Sequence, residues 1–342
     1  MHQIISKYIA AVAKANGVAD TSVHFAVDPQ ISRKMRAKMR LSSAFLTRIN
    51  VAEKENNAGE VVGIKVGLTA SRSGKGGYQG NDGRRQPKSV HSASGREYRC
   101  RKINFDTYWG YEELDAWAAE PEYIRIINGE LVKSKAESLL AIAFNGTKWA
   151  DVSDPEANPK LEDCGKGWLT QQREQNPART MGWASGKIGE EKAAVKYGPA
   201  QEYKNLDALV KDAVNNMIAE EFTDRADLVV ICNARDLEDK YFQLVNAAAE
   251  KATENVASDI LQSTRRLGGL QAIAVPYFPA GSMLITPLSN LSIYFQKSGH
   301  RRKLADEPEF DRVVNYESEN IDFVIEELEA IVLIDNIERV EA

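Results

Sequence analysis

The 342-residue sequence lacks the features of several common protein classes. No run approaches the roughly 18 consecutive apolar residues that a membrane-spanning helix needs. The opening stretch, MHQIISKYIAAVAKANG, places Lys7 and Lys14 inside its apolar pattern and so does not resemble a secretory signal. Cys100, Cys164 and Cys232 are widely spaced and odd in number, which indicates neither a disulfide framework nor a CxxC pair. We expect a protein without a membrane segment, made in a reducing cytoplasm.

The sequence also has few motifs that indicate catalysis or the binding of a metal or cofactor. It contains no HExxH, GxSxG or CxxC motif, and its four histidines have no partner at metal-ligand spacing. Gly74-Lys75-Gly76 lacks the remaining residues of a phosphate-binding loop. The acidic series that begins at Glu317 alternates, which is more typical of a strand with one side in solvent than of a catalytic carboxylate pair. We therefore predict no catalytic residue, no metal site and no cofactor.

The charge is unevenly distributed along the chain. Lys and Arg total 44 against 49 Asp and Glu, a net charge of -5. Residues 1–48 hold eight basic and two acidic side chains, and residues 72–102 hold nine and two. Residues 301–342 reverse the sign, with five basic and thirteen acidic side chains. Blocks of opposite sign in one chain indicate complementary contacts between subunits or a surface that meets nucleic acid, although solvated faces that happen to cluster also explain them.

The N-terminal third is predicted to form two extensions, an arm and a hairpin, from a compact body. An amphipathic helix ends at Gly17, and a basic helix follows Pro29, so we predict an arm ahead of the core. Residues 58–70 alternate as a strand and are followed by about 30 residues with almost no aliphatic side chain. A second strand, Arg101 to Tyr108, is expected to return alongside the first and complete a long hairpin with a basic tip.

The remainder has a mixed helix and strand pattern. The strongest helix begins at Pro121 and keeps helical apolar spacing to Asn145, where Gly146 ends it. GWLTQQREQ predicts a short helix, Asn205 caps another, and DLVVIC predicts a buried strand. From Gly268 onward the pattern is rich in strands. The sequence alone therefore predicts an α+β chain, and its length favours two domains or one domain with large excursions.

An ordered set of short segments runs from the arm to the last strand. The segments are FLTRIN (45–50), RQPK (85–88), CRKINFD (100–106), LDAWA (114–118), AFNG (143–146), NPAR (176–179), LDALVKDA (206–213), DLVV (227–230), DKYF (239–242), VPYFPA (275–280), LSIYF (291–295), HRR (300–302) and NYESENIDFV (315–324). No single segment is diagnostic, but the collinear set is specific, and it resembles the Peduovirus-type (P2-like) major capsid proteins of tailed phages.

The resemblance implies the HK97-like capsid fold, which has an N-terminal arm, an extended β-hairpin loop, a long spine helix, and peripheral and axial domains. The expected division is a scaffold-interacting segment and arm at 1–50, the hairpin loop at 51–104, a peripheral domain at 105–160 plus 305–342 with its spine helix at 121–144, and an axial domain at 161–304.

The resemblance also implies partners and a place in the virion. Family members form pentamers and hexamers that close into an icosahedral capsid around packaged double-stranded DNA, which they contact non-specifically. The procapsid assembles in the bacterial host cytoplasm on an internal scaffolding protein that is also the maturation protease, and a portal protein completes it. The family implies trimming of the N-terminus between about Gly17 and Gln30. It implies a structural protein, with no enzymatic activity and no membrane partner.

Three sets of residues are predicted to make these contacts. The basic loop tip is expected to lie on an acidic counter-surface of a neighbouring subunit, and the apolar side of the first helix is expected to face the scaffold. The loop tip comprises Arg84, Arg85 and Lys88; the counter-surface comprises Asp306, Glu307, Glu309, Glu317 and Glu319; the scaffold-facing side comprises Ile4, Ile5, Tyr8, Ile9 and Val12.

Two alternatives stay open on the sequence alone. An encapsulin-like nanocompartment shell shares the fold and differs in enclosing cargo enzymes instead of DNA. A soluble α+β enzyme with an unrecognised site differs in being a small monomer or dimer.

Overall fold

The structure, a computed structural model, describes residues 3–61, 95–116, 122–182, 193–238 and 266–340. The helices of these segments, in chain order, are α1 (Gln3–Asn16), α2 (Pro29–Leu41), α3 (Tyr111–Ala116), α4 (Tyr123–Asn145), α5 (Trp168–Gln175), α6 (Leu206–Met217) and α7 (Glu220–Thr223). The strands are β1 (Phe25–Ala26), β2 (Asn50–Lys54), β3 (Ala58–Glu60), β4 (Glu97–Arg99), β5 (Arg101–Asn104), β6 (Thr107–Gly110), β7 (Thr147–Trp149), β8 (Cys164–Lys166), β9 (Thr180–Met181), β10 (Val195–Tyr197), β11 (Leu228–Cys232), β12 (Arg266–Leu267), β13 (Leu270–Ala274), β14 (Met283–Pro287), β15 (Leu291–Gln296), β16 (Arg301–Glu307), β17 (Arg312–Ile325), β18 (Val332–Ile334) and β19 (Ile337–Arg339).

The 14-residue strand β17 organises one sheet. Along its length it pairs antiparallel with β16 at residues 312–318, with β6 at 312–315, with β5 at 318–321 and with β15 at 321–325. Near the N-terminus, β2 adds to β15 in parallel and β1 adds to β16 in antiparallel orientation. The sheet therefore joins segments from both ends of the chain.

A second sheet has six strands in the order β12-β13-β11-β14-β18-β9. Its central strand β11, predicted as a buried strand, has all five residues buried and runs parallel to β13 and antiparallel to β14. Helix α6 packs on this sheet through Leu209, Val210 and Ala213, which are fully buried. The Asn205 side chain accepts a hydrogen bond from the Ala208 amide at 2.9 Å, which caps α6 as predicted.

The long helix α4 is the spine helix that the sequence predicts at 121–144; it begins at Tyr123 among the described residues, and Pro121 lies outside them. Its 23 residues span roughly 34 Å, at 1.5 Å per residue. In its C-terminal half, the Phe144 ring lies 5.6 Å from that of Phe45, 5.4 Å from Trp168 and 5.0 Å from Phe278. Helix α5 begins directly against the end of α4. The two backbones are so close there that only glycine fits at position 167, since a Cβ would lie 2.3 Å from the Ala143 carbonyl oxygen.

The predicted arm, which precedes the core in the sequence, packs on the body of the same subunit. Met39, Phe45 and Leu46 are buried in the main core with α4 and β17, and β1 and β2 are strands of the larger sheet. Asp28 accepts from the Gln30 amide at 2.7 Å and Pro29 occupies the first turn, so α2 starts where the sequence indicates. The apolar side of each arm helix is buried against the same chain.

The base of the predicted hairpin is present, with different pairing. β3 pairs antiparallel with β4, placing Gly59 opposite Tyr98. The return strand predicted from Arg101 to Tyr108 is divided into β5 and β6, and both pair with β17. The rest of the predicted first strand and the basic tip lie outside the described residues.

The strand pairing also crosses the predicted domain boundary at residue 304. β15 and part of β16 fall within the axial range, yet both pair with β17, which falls within the peripheral range. Conversely, β18 falls within the peripheral range and pairs with β14 of the six-stranded sheet. The domain limits stay a prediction, and the last 50 residues contribute strands to both sheets.

Candidate functional site

The most concentrated group of charges in the described residues is a buried ionic cluster around β17. Glu317 and Glu319 are 7% and 1% exposed and point to the same side of the strand as Ile321 and Phe323. From α4, the Lys135 ammonium lies 2.6 Å from Glu317 Oε1 and 3.2 Å from Glu319 Oε2. The cluster therefore joins the middle of the spine helix to the middle of the long strand.

His300 lies between the two carboxylates. Its Nε2 is 3.1 Å from Glu317 Oε1, and its Nδ1 is 3.2 Å from Glu319 Oε1. Ser32 Oγ, from α2, is 2.5 Å from the same Nδ1. The imidazole is 1% exposed, so each of its nitrogens is satisfied inside the protein.

Arg36, on α2, connects the cluster to the arm. Its side chain is 5% exposed; Nε lies 3.4 Å from Glu319 Oε1, and a terminal nitrogen donates to Glu53 at 3.1 Å. The contacts to Glu319 are ion pairs without hydrogen-bond alignment, because both Glu319 oxygens and Arg36 Nε lack a well-aligned partner. The guanidinium also lies 4.8 Å from the Phe295 ring centroid.

A second polar group extends the connection to α1. Arg302 Nε donates to Asn315 Oδ1 at 2.6 Å, and another of its nitrogens donates to the Tyr8 hydroxyl at 2.8 Å. Tyr8 donates in turn to Asn128 of α4 at 2.9 Å. Both arm helices are thus held to the spine helix and the long strand through buried polar contacts.

The neighbouring basic side chains determine how these carboxylates ionise. Burial alone would raise the pKa of Glu317, but Lys135, His300 and Arg302 hold that pKa well below its usual range. The pKa of Glu319 is likewise lowered, with Lys135, His300 and Arg36 outweighing its burial. Burial acts to lower the pKa of Lys135, and the two carboxylates raise it above its ordinary value. At neutral pH both glutamates are ionised and Lys135 is charged.

His300, Glu317 and Glu319 have the residue types of a metal site and lie close together. The geometry does not suit an ion, however. The histidine ring turns one nitrogen toward each glutamate, and a single ion can take only one of them. The Lys135 ammonium already contacts both carboxylates, and Arg36 adds a further positive charge. The arrangement is a structural ion-pair cluster.

The predicted acidic counter-surface is therefore wrong at two positions. Glu317 and Glu319 are buried, so the alternation in β17 places the acids inward, where Lys135, His300 and Arg36 compensate them. The other predicted members are near the surface. Asp306 accepts from the Tyr111 hydroxyl at 2.5 Å, Glu307 pairs with Arg312 at 2.9 Å, and Glu309 is exposed.

The predicted scaffold-facing side of α1 is likewise occupied. Tyr8, Ile9 and Val12 pack with Trp109 and Leu304 of the same chain, and the Tyr8 and Trp109 rings meet edge to face at 6.2 Å. Ile4 and Ile5 lie in the helix, and their side chains are outside what the structure describes, as is the whole loop tip of Arg84, Arg85 and Lys88. The exposed side of α1 carries Lys7 and Lys14 instead.

The sequence reasoning missed Arg36, Lys135 and His300 as functional residues. The available signal was the placement of Lys135 among the apolar positions of the spine helix, with Val132, Ala136 and Leu139 around it. A lysine on the buried side of a helix requires a carboxylate opposite it.

The fold and the strand-and-spine arrangement define a shell-forming subunit of the HK97-like capsid class. The most specific comparison then assigns the family. The family model described as "Phage major capsid protein, P2 family" matches residues 4–337, and the chain belongs to this family of tailed-phage major capsid proteins. It is a structural protein of the virion capsid and not an enzyme, which decides against both alternatives left open by the sequence.

Individual relatives support the same family assignment. A protein of Escherichia phage P2 described as "Capsid proteins" is 40% identical over 334 residues, covering 96% of this chain and 92% of the relative. The major capsid protein of Serratia phage KSP20 is 34% identical over 341 residues, covering 98% and 96%. A chain in a solved structure titled "Satellite phage P4 procapsid including size determination (Sid) protein" is 38% identical with a TM-score of 0.71, covering 90% of this chain and 99% of that chain. No helix among the described residues is long and apolar enough to cross a membrane.

Proposed function

We propose that this capsid protein assembles as pentamers and hexamers into an icosahedral shell that encloses double-stranded DNA. Assembly takes place in the bacterial host cytoplasm on an internal scaffolding protein that is also a protease, with a portal protein completing the shell. The observation that carries the proposal is the match of residues 4–337 to the P2-family major capsid protein model, and the buried ionic cluster adds that both arm helices are already held on the body. A preorganised subunit loses less conformational freedom when it joins a shell. The likeness to a procapsid chain supports the same conclusion.

Electron microscopy of the purified full chain, with and without the scaffolding protein, tests this proposal. We expect closed shells of uniform size when the scaffold is present. A chain that stays monomeric or dimeric under every assembly condition contradicts it.

The basic loop tip is proposed to contact an acidic surface of an adjacent subunit that does not include Glu317 or Glu319. An exposed ion pair contributes only about 0–1 kcal/mol, but many such contacts reinforce one another in a closed shell. The triple variant Arg84→Glu, Arg85→Glu, Lys88→Glu should fold normally and fail to form shells. A control that reverses the exposed Lys148, Lys160 and Lys204 changes the charge equally and should assemble. Normal shells from the loop variant would contradict this part of the proposal.

The scaffolding protein is proposed to contact the exposed side of α1. Tyr8, Ile9 and Val12 are used within the subunit, so the free side offers Lys7 and Lys14. Deleting residues 2–17 should give aberrant or scaffold-free particles, and Lys7→Glu with Lys14→Glu should reduce scaffold incorporation without unfolding the subunit. Unchanged scaffold content in particles of the double variant contradicts this contact.

Trimming of the N-terminus is proposed between about Gly17 and Gln30. Within this range, Ser22, Val23 and His24 are exposed between α1 and β1, which favours access by a protease. Mass spectrometry of mature particles should find chains that begin in this range, and full-length chains throughout would contradict trimming.

Contact with packaged DNA is proposed to be electrostatic and without base readout. Binding of the shell protein to duplexes of different sequence should then be equal, and should weaken steeply as salt rises. A preference for one sequence that persists at high salt contradicts this proposal.

A further inference from the structure

Phe310 is an aromatic side chain in an exposed position. It lies at the tip of the turn between β16 and β17 and is 64% exposed. Glu309 and Asp311 flank it, and neither carboxylate has an ion-pair partner among the described residues. The exposed ring and the two carboxylates beside it form a surface that an apolar site with a basic rim would complement.

The tip is held rigidly. Arg312 lies 4.8 Å from the Phe310 ring centroid and 5.3 Å from that of Tyr108, and it pairs with Glu307 at 2.9 Å. Asp311 adopts a left-handed conformation with φ of 49°, and its carbonyl accepts from the Tyr111 amide at 2.8 Å. Because the turn is already ordered, its insertion into a partner would cost little conformational entropy.

A cavity of about 440 Å³ lies elsewhere on the subunit, between the segment after α2, the spine helix α4 and the segment after β13. Its apolar lining includes Phe45, Leu140, Pro276 and Tyr277. Tyr277 is held over the cavity in a left-handed conformation with φ of 63°, and its carbonyl accepts from Asn145 Nδ2 at 2.8 Å. The volume is in the range of sites that accept an aromatic group.

The rim of this cavity is basic. Arg48 and Lys133 line it, both are exposed, and neither forms an ion pair within the described residues. Glu137 supplies a carboxylate to the lining and faces the Tyr277 hydroxyl at 3.4 Å. The cavity thus has an apolar floor and a rim with two cations and one carboxylate, which leaves one positive charge in excess.

We propose that this cavity receives Phe310 from a second copy of the chain, with Glu309 and Asp311 of that copy pairing with Arg48 and Lys133. The inference rests on the proposed shell assembly and names one of its contacts. Tip and cavity are different patches, so the contact is head to tail, the type that closes rings when the rotation permits. The apolar floor favours a protein side chain over a phosphate backbone. The basic rim favours the acidic tip over the basic loop, because Arg84, Arg85 and Lys88 would repel Arg48 and Lys133.

Charge exchange tests the pairing. The cavity variant Arg48→Glu with Lys133→Glu and the tip variant Glu309→Lys with Asp311→Lys should each reduce shell yield at least tenfold, while circular dichroism and thermal unfolding stay as in the parent chain. The fourfold variant carrying both exchanges should recover shells. Asp151→Lys with Glu156→Lys, two exposed acids of the turn between β7 and β8, serves as the matched control and should assemble normally.

Cross-linking gives a second, independent readout. Phe310→Cys combined with Tyr277→Cys should yield a ladder of disulfide-linked chains when assembled shells are oxidised, and neither single variant should do so. Absence of a ladder from assembled shells, or absence of rescue in the fourfold variant, overturns the inference. If only the cavity variant fails to assemble, a different acidic partner occupies the cavity and the inference is wrong. A parent chain that never forms shells overturns the proposed function instead.

Discussion

Lys135 Nζ lies 2.6 Å from Glu317 Oε1, and the two side chains are only 11% and 8% exposed. This ion pair links the spine helix to the long strand across the interior of the subunit. Glu319, two residues along the strand, shares the same ammonium at 3.2 Å. One lysine therefore compensates two buried carboxylates, and the arm adds Arg36 to balance them.

Lys135→Met should destabilise the subunit by about 3–5 kcal/mol, because it leaves buried carboxylates without their main partner. Lys133→Met is the matched control: it lies on the same helix, is exposed, and should change the unfolding free energy by about 0.5 kcal/mol or less. Urea unfolding of the unassembled subunits measures both. A Lys135→Met loss as small as that of the control would show that the cluster is not structurally important.

The cluster should make stability depend on pH in the acidic range. The folded pKa values of Glu317 and Glu319 are lowered from an ordinary value of 4.5, so the unfolded chain binds protons first as pH falls. Their contribution is complete above about 4.5 and is lost progressively below it. Urea unfolding at pH 7, 5, 4 and 3 should show this loss, and Glu317→Gln with Glu319→Gln should flatten the decline. An equally steep decline in that variant contradicts the assignment.

Asp322 should make the subunit less stable as pH rises, which is the opposite of the effect of Glu317 and Glu319. Burial raises its pKa from 3.8 to about 6, although the Arg99 and Phe323 amides donate to it at 2.8 and 3.0 Å. Its ionised form thus destabilises the fold above pH 6, and this penalty disappears as pH falls toward 3.8. Asp322→Asn removes the charge, but its NH2 group then faces one of the two backbone amides at every pH. The stability of the variant relative to the parent chain should therefore rise by about 1–3 kcal/mol between pH 4 and pH 7. A difference between the two proteins that does not change over this range refutes this.

The sequence predicted the elements that depend on local pattern. Asn205 and Asp28 cap helices by hydrogen bonds to nearby amides, and the apolar spacing of α4 persists over six turns. Pairing between distant segments was less predictable. The alternation around Glu317 shows that one side of β17 differs from the other, but which side is buried depends on Lys135 and His300, which lie 182 and 17 residues away.

The arm is a second case in which the sequence predicts the element but not the surface that it contacts. The apolar side of α1 is visible in the sequence, and a helix with one apolar side needs a partner surface. Whether that partner is a scaffold or the same chain is decided by tertiary contacts such as Tyr8 with Trp109. The resemblance to a capsid family supplied the overall fold, which neither composition nor periodicity specifies.

Arg36→Met should loosen the arm. The substitution leaves Glu319 without its arm partner and Glu53 with only the exposed Arg33, so α2 should open more often. Trypsin should then cleave faster after Lys34 and Lys38, which are exposed in the fold but lie within an ordered helix. Arg33→Met, one turn earlier on the exposed side of α2, is the control and should not change the cleavage rate. Equal resistance of both variants in limited proteolysis would falsify the view that Arg36 fastens the arm.

The three cysteines should be poorly reactive in the folded subunit. Burial raises the pKa of Cys100 and of Cys232 to about 12, and that of the half-buried Cys164 to about 11. Because the thiolate is the reactive form, labelling by a disulfide reagent at pH 8 should be slow for all three and slowest for Cys100 and Cys232. Stoichiometric labelling within minutes, without denaturant, is the contrary result.

The central claim is that the chain is a shell subunit whose arm is fastened to its own body by the buried cluster. Cryo-electron microscopy of assembled shells, at a resolution that shows side chains, tests it most directly. We predict that Arg36 contacts Glu319, and Lys135 contacts Glu317, within a single subunit throughout the shell. Shells in which α2 packs on a neighbouring subunit, leaving Glu319 to another partner, would contradict the account.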